Sequence, residues 1–364
     1  MQHTTVTPNF YTVIAAARHK RIKQRLMVGL SSSLHPAVYG IIAGAAGAIA
    51  LFWLLRRRWS ISKNIAAPAP AAAAAKGAAG HAGNMEMGGF FYKKEVKNRF
   101  ENERRLFERL RGSRDPMASC APEFHGVETI NHPEDGPIRY IKMRSLVEGF
   151  DERTLCQMDV KMGVRCFAES ELESHEPRKD LYKKMTKIGI PLTRSTLSTD
   201  EISQEAITKA KWMTTRDTYS STIQLGFRVD GVVTPTRRRK PEKDLATCRA
   251  DSQVCDALRS FLPAERPKQA AEAVLKRLGQ IEASLRKSEL FWKSELIGSS
   301  LLFAADGRGK VGVWMLDFGL TKDADVKAGT LRHDVAWKKG NHEDGYLIGL
   351  ENLQRLWRKV IADL

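Results

Sequence analysis

The first 85 residues contain no aspartate or glutamate, and the first acidic residue of the chain is Glu86. Ten lysines or arginines lie in that stretch, so much of the formal net charge of +17 is concentrated there. From residue 86 onward, 49 basic residues face 42 acidic ones, an excess of only +7. Domains that bind nucleic acid usually carry a stronger basic surface. We therefore expect no nucleic-acid partner, and a compact anionic ligand fits this small excess better.

Cysteine is also scarce, and its spacing is irregular. The five cysteines are Cys120, Cys156, Cys166, Cys248 and Cys255, and no C-x-x-C pair occurs among them. This pattern argues against a disulfide framework and against a zinc site. We expect reduced thiols, and therefore a folded part of the protein that lies in the cytoplasm.

Long apolar runs are absent except for one near the N terminus. Residues 36–55 carry no charge and precede three arginines, and their length is just enough to span a bilayer. Three interpretations of the segment 36–59 stay open: a membrane anchor, part of an organelle transit peptide, and a wrongly assigned start. Residues 60–84 are rich in Ala, Pro and Gly, which predicts a linker.

A basic tail, residues 1–35, precedes the apolar segment. Its stretch 18–30 mixes cations with apolar residues. Two interpretations fit this composition equally well: a helix that binds calmodulin, and a polybasic patch beside a membrane.

Strand-like and helix-like patterns alternate from residue 85 to residue 364, which predicts one folded domain of the mixed α/β (α+β) class. Strands are predicted near 89–97, 138–147, 155–162, 297–304 and 311–318, and helices near 100–112, 178–188, 200–216, 252–288 and 345–361. We expect the folded part to begin near Met85.

Three groups of polar residues are candidates for chemistry. Asp317 lies at the end of an apolar strand, two residues before Gly319. This position suits a magnesium ligand, although the same D-F-G sequence also occurs where ordinary strands end. Asp159 and Lys161 point to the same face of a strand, where they could move a proton and stabilise phosphoryl charge, or form a solvated ion pair. Lys209 and Arg216 are separated by two helical turns, about 10 Å of rise. They could hold two phosphates of a small ring, although a solvated helix face is the simpler interpretation of this pair alone.

Eight sequence blocks follow one another over about residues 100–364. They are 159–165, 178–185, 208–209, 221–231, 297–303, 313–319, 330–335 and 344–350. In content and order they resemble the inositol polyphosphate kinase family, and within it the inositol trisphosphate 3-kinases. The resemblance implies a two-lobed protein-kinase-like (ATP-grasp-like) fold with ATP between the lobes. It also implies an inserted helical lobe, about residues 165–240, that binds the acceptor.

The resemblance further implies roles for residues on the ATP side. Asp159 would deprotonate the attacking hydroxyl, and Lys161 would bridge the acceptor and the transferring phosphate. Asp317, helped by Ser300, would hold Mg²⁺ on ATP. Lys97 aligns best with the lysine that contacts ATP, with Lys93 and Lys94 close by.

On the acceptor side, the resemblance implies that Arg178, Lys209 and Arg216 bind phosphates and that Leu181 packs against the inositol ring. The implied reaction is phosphorylation of inositol 1,4,5-trisphosphate at its 3-hydroxyl. A multikinase of broader specificity, a weak pseudokinase and a membrane-tethered inositol-phosphate-binding module stay open as alternatives. The intact residues Asp159, Lys161 and Asp317 favour an enzyme.

Overall fold

The computed structural model describes residues 73–74, 83–97, 99–236, 245–324 and 329–364. The basic tail 1–35 with its calmodulin-type stretch, the apolar segment 36–59 and most of the linker 60–84 lie outside the described residues. Within the described ranges, no helix combines the length and the apolar composition that a membrane crossing requires.

The first lobe is built on an antiparallel sheet of five strands in the order β1-β2-β3-β5-β4. These strands are β1 (Ala73–Ala74), β2 (Met85–Met87), β3 (Phe90–Lys94), β4 (Phe124–His132) and β5 (Gly136–Arg144). Helix α1 (Phe100–Gly112) packs on β4, where the rings of Phe107 and Phe124 stack. The predicted strands near 89–97 and 138–147 and the helix 100–112 are confirmed, whereas β4 was not predicted.

The second lobe contains a four-stranded antiparallel sheet in the order β10-β9-β6-β7. Its strands are β6 (Cys156–Met162), β7 (Phe227–Val233), β9 (Ser300–Ala305) and β10 (Val311–Leu316), while β8 (Ser294–Glu295) and β11 (Lys322–Asp323) form a separate pair. Apolar side chains of β6 and β9 join the main hydrophobic core. The strand β6 lies between β9 and β7, so its backbone pairs with a neighbouring strand on both sides.

Helices α6 (Asp251–Ser260), α7 (Pro267–Leu285), α8 (Glu289–Trp292) and α9 (Tyr346–Ala362) supply the rest of this core. The prediction of one helix over 252–288 was wrong. Pro263 and Pro267 divide it, because proline disfavours helical backbone at the residue before it and is itself favoured at a helix start. The C-terminal helix is confirmed, with Leu353 and Trp357 fully buried.

Helices α2 (Lys179–Lys187), α3 (Thr199–Gln204), α4 (Lys209–Tyr219) and α5 (Thr222–Leu225) lie between β6 and β7 in the chain. They have a small core of their own, formed by Leu181, Tyr182, Met185, Ile190, Leu197 and Ile207. The predicted single helix 200–216 is two helices, because Glu205 adopts a left-handed φ of 49° and Ile207 pairs with Arg178 in a β-bridge. The strand β7 already belongs to the second sheet, so the inserted helices end before it.

Candidate active site

Strand β6 presents Asp159 and Lys161 on the same face of the second sheet, as their i, i+2 spacing predicts. The Nζ atom of Lys161 donates hydrogen bonds to Ser300 Oγ at 2.5 Å and to Asp317 Oδ2 at 2.8 Å. Ser300 is the residue paired with Lys161 across β6 and β9. The fold therefore brings Lys161 together with two residues that are more than 130 positions away from it in the sequence.

Asp317 follows β10 and joins the two lobes. Its φ of 65° lies in the left-handed region, which is unusual for a residue other than glycine. Its Oδ1 atom accepts a hydrogen bond from Lys93 Nζ of β3 at 2.6 Å, and Lys93 also binds Glu103 of α1 at 2.7 Å. We call Lys93, Glu103, Lys161 and Asp317 the Asp317 cluster.

The assignment of Lys97 to the cleft is corrected by this geometry. Lys97 lies exposed in the turn after β3, and the residues that line the cleft include Lys93 and Lys94 but not Lys97. Lys93 and Lys94 belong to β3, whose pairing with β5 ends at Lys94, so Lys97 lies beyond the strand. Lys93 is therefore the lysine of the first lobe that reaches Asp317.

Charges within the Asp317 cluster keep its carboxylate ionised. Burial favours the neutral acid, but Lys161 and Lys93 outweigh it and hold the pKa of Asp317 well below its usual range. Burial lowers the pKa of Lys93, yet Asp317 and Glu103 raise it overall to about 12. Both lysines are therefore cationic at neutral pH.

Asp159 has a different environment. Its side chain is buried, and its Oδ1 atom has no hydrogen-bond partner among the described residues. Burial raises the pKa of Asp159 despite the opposing charge of Lys161, 3.9 Å from Oδ2, and the carboxylates of Asp230 and Asp317 add to the rise. A buried carboxylate oxygen without a partner is costly, so Oδ1 is available to accept a hydrogen bond from a ligand.

The inserted helices place cations on the opposite wall of the cleft. Lys209 at the start of α4 pairs with Glu171, and Arg216 of the same helix donates to Asp230 of β7. Arg178 precedes α2 and binds Asp180, and Leu181 is buried in the small core. We call Arg178, Lys209 and Arg216 the insertion face.

A single cleft of about 670 Å³ connects the Asp317 cluster, Asp159 and the insertion face. Of the predicted site residues, Asp159, Lys161, Arg178, Leu181, Lys209, Arg216 and Asp317 line it. Ser300 reaches the cleft through its hydrogen bond with Lys161. The prediction missed Lys184, Arg228 and Asp230, although the i, i+2 spacing of Arg228 and Asp230 within a family-like block was a signal that could have found them.

The family model described as inositol polyphosphate kinase matches residues 140–358, which span β6, the inserted helices and the strand before Asp317. The chain belongs to the inositol polyphosphate kinase family. It is 36% identical to human inositol-trisphosphate 3-kinase A over 282 residues, 76% of this chain and 56% of that protein. It is 32% identical to an inositol-trisphosphate 3-kinase homolog of Caenorhabditis elegans over 277 residues, 74% of this chain and 51% of that protein. The chain thus spans about half the length of these curated relatives.

Among solved structures, the chain is similar to an inositol phosphate multikinase from S. cerevisiae in complex with ADP and Mn²⁺. The identity is 17% with a TM-score of 0.45, over 75% of this chain and 99% of that chain.

The cleft offers few side chains of its own for a magnesium ion. No group of three or more His, Cys, Asp or Glu side chains is gathered for a metal within the described ranges. Asp317 supplies one ionised carboxylate, and the Ser300 hydroxyl is linked to it through Lys161. Mg²⁺ bound with phosphates usually needs only one or two protein carboxylates, so these residues fit such an ion.

Proposed function

We propose that this inositol polyphosphate kinase phosphorylates inositol 1,4,5-trisphosphate at its 3-hydroxyl, using ATP, to give inositol 1,3,4,5-tetrakisphosphate. The observation that carries the proposal is the unpartnered Oδ1 atom of Asp159, which lies in the cleft that the Asp317 cluster and the insertion face share. The names of the curated relatives, inositol-trisphosphate 3-kinases from human and nematode, support the choice of acceptor.

The Asp317 cluster is suited to the phosphates of ATP. Asp317 and Ser300 would hold Mg²⁺, which neutralises charge on the phosphates when it is bound. Lys93 is kept cationic by Glu103 and Asp317, so it can bind a phosphate oxygen from the side of the first lobe. Lys161 can stabilise the negative charge of the phosphoryl group during its transfer, because its ammonium group already lies beside Asp317.

Asp159 is suited to accept the proton of the acceptor hydroxyl. The burial and neighbouring carboxylates that raise its pKa also raise its affinity for a proton. The insertion face would fix the ring by its phosphates, with Leu181 beside it. Phosphoryl transfer depends mainly on positioning and charge stabilisation, which these fixed side chains supply.

The test is an assay of the purified full-length chain with Mg-ATP and a panel of inositol phosphates, with the product isomers separated by anion-exchange chromatography. We expect a preference for inositol 1,4,5-trisphosphate and loss of turnover in Asp159→Asn. Asp256→Asn on α6, an exposed residue paired with Arg259, is the control and should be fully active. Comparable use of several acceptors would instead show a multikinase. Binding of the acceptor without turnover would show a binding module or a pseudokinase.

For the N-terminal region, the sequence supports two further proposals. Residues 36–55 are proposed to anchor the protein in a membrane, leaving the catalytic domain in the cytoplasm. Residues 18–30 are proposed to bind calmodulin or, as a polybasic patch, the membrane surface beside that anchor. Membrane fractionation of the full chain and of a form lacking residues 1–65 tests the first proposal. A calcium-dependent calmodulin pull-down tests the second. Recovery of the full chain in the soluble fraction would contradict the anchor.

A further inference from the structure

A β-bulge in β7 places Asp230 beside β6, the strand that carries Asp159 and Lys161. Across β6 and β7, Val160 is paired with Val229, but Asp159 is paired with Gly231. Asp230 is therefore the extra residue of the bulge and has no partner on β6. Bulges near active sites commonly redirect a side chain, and here the carboxylate of Asp230 lines the cleft.

The Oδ1 atom of Asp230 joins two arginines. It accepts hydrogen bonds from Arg216 Nη2 at 2.5 Å and from Arg228 Nε at 3.2 Å. Arg216 comes from α4 of the insertion and Arg228 from β7 of the second sheet. A single carboxylate oxygen thus connects the inserted helices to the strand that borders β6.

Without this carboxylate, the two guanidinium groups would repel one another. The charge of Arg228 and, next, burial lower the pKa of Arg216 from its usual value. Arg228 is itself buried. Its Nη1 atom donates a hydrogen bond to Thr222 Oγ1 at 3.2 Å and forms an ion pair with Asp217 at 3.5 Å. Arg228 cannot retreat without breaking these contacts, so Arg216 is the group that would move.

The bond to Asp230 uses only one of the five N–H groups of Arg216. The remaining N–H groups of this planar side chain can still form a fork for a phosphate. Asp230 can therefore stay in place while a phosphate binds.

We infer that Asp230 is a positioning residue for the acceptor, which acts by holding the guanidinium of Arg216 beside Arg228 so that both face the same phosphate. The inference rests on the proposed function, because it assumes an inositol phosphate acceptor. The proposal places a carboxylate in a site otherwise suited to anions. If that carboxylate acted only by repelling the acceptor phosphates, removing its charge would lower KM for the acceptor. If it positions Arg216, removing its charge should raise KM.

The experiment is a double-mutant cycle in the full-length chain. The variants are Asp230→Asn, Arg216→Ala and both together, with Asp230→Glu as the conservative replacement and Asp200→Asn, an exposed residue of α3, as the control. For each, KM for inositol 1,4,5-trisphosphate, KM for ATP and kcat are measured, and binding of the trisphosphate is measured by calorimetry without ATP.

We expect Asp230→Asn to raise KM and Kd for the trisphosphate about tenfold, a usual size for coupling between contacting side chains. KM for ATP should stay unchanged, and Asp230→Glu should recover part of the loss. In the Arg216→Ala background, Asp230→Asn should have little further effect, because its target is gone.

An unchanged or lower KM in Asp230→Asn would overturn the inference, and so would additive effects of the two substitutions, which would indicate a role in folding alone. Failure of the proposed function is seen separately, in the wild-type chain and the Asp200→Asn control. If neither turns over or binds the trisphosphate, the acceptor assignment fails, and with it this role of Asp230.

Discussion

The two sides of the cleft use opposite arrangements of the same kinds of residue. In the Asp317 cluster, one carboxylate is held by two lysines that come from different lobes. Around Asp230, one carboxylate oxygen holds two arginines that come from the insertion and the second sheet. The first arrangement keeps a carboxylate ionised, as the proposed metal–phosphate ligand requires, whereas the second keeps two cations beside one another, as the proposed acceptor phosphate requires. The comparison indicates that one side fixes a negative charge between cations and the other fixes positive charges around a carboxylate.

The largest effect is expected from removing the charge of Asp317. Asp317→Asn should lower kcat on the order of a thousandfold, because the Mg²⁺ that neutralises the ATP phosphates would lose its carboxylate ligand. Binding of the trisphosphate, measured by calorimetry, should be largely retained. Asp323→Asn, an exposed residue of β11, is the matched control. Normal turnover in Asp317→Asn would show that the Asp317 cluster does not serve the nucleotide.

Lys93 and Lys97 distinguish the structural assignment from the sequence alignment. Lys93→Met keeps most of the side-chain length but removes the charge, so kcat/KM for ATP should fall about a hundredfold. Lys97→Met should have no effect, because Lys97 lies exposed outside the cleft. Steady-state kinetics with varied ATP measures both. The reverse result would restore Lys97 as the ATP-contacting lysine.

On the opposite side, Arg216→Ala should raise KM for the trisphosphate about ten- to a hundredfold, the value of one or two charge-assisted hydrogen bonds. KM for ATP should hardly change, and Arg216→Lys should recover only part of the loss, because an ammonium lacks the planar fork. Lys211→Ala on the same helix, which does not line the cleft, is the control. If both Arg216 variants use the trisphosphate normally, the insertion face is only a solvated surface.

The smallest effect concerns pH and links the two sides. Asp159 must be ionised to accept a proton, so kcat should fall when acidification protonates it. Because burial and the neighbouring carboxylates raise the pKa of Asp159, this fall should begin at a higher pH than an aspartate with its usual pKa would give. The charge of Asp230 contributes to that rise, so Asp230→Asn should move the acid limb of the kcat profile to lower pH. Both proteins use the same substrates, so titration of the phosphates cancels in the comparison. An identical acid limb in both would mean that Asp230 does not influence Asp159.

The inserted lobe shows which helix bounds the apolar periodicity of the sequence can predict and which it cannot. Apolar spacing predicted the C-terminal helix within a residue or two, because most of its length packs on one core. The same reasoning joined α3 to α4, since the break depends on Glu205 and on a bridge between Ile207 and Arg178, two residues that are far apart in the sequence. Strand β4 was missed because many of its residues are polar or exposed on one face.

The sequence by itself determined the family, the mixed class of fold and most of the residues that line the candidate site, because these depend on local blocks such as Val313–Gly319 and on the i, i+2 spacing of Asp159 and Lys161. Only the tertiary structure decided that Lys93 rather than Lys97 reaches Asp317, and that Asp230 lies between Arg216 and Arg228. The physical reason is that both facts depend on strand register. The pairing of β3 with β5 ends at Lys94, and one bulge in β7 shifts Asp230 out of register with β6.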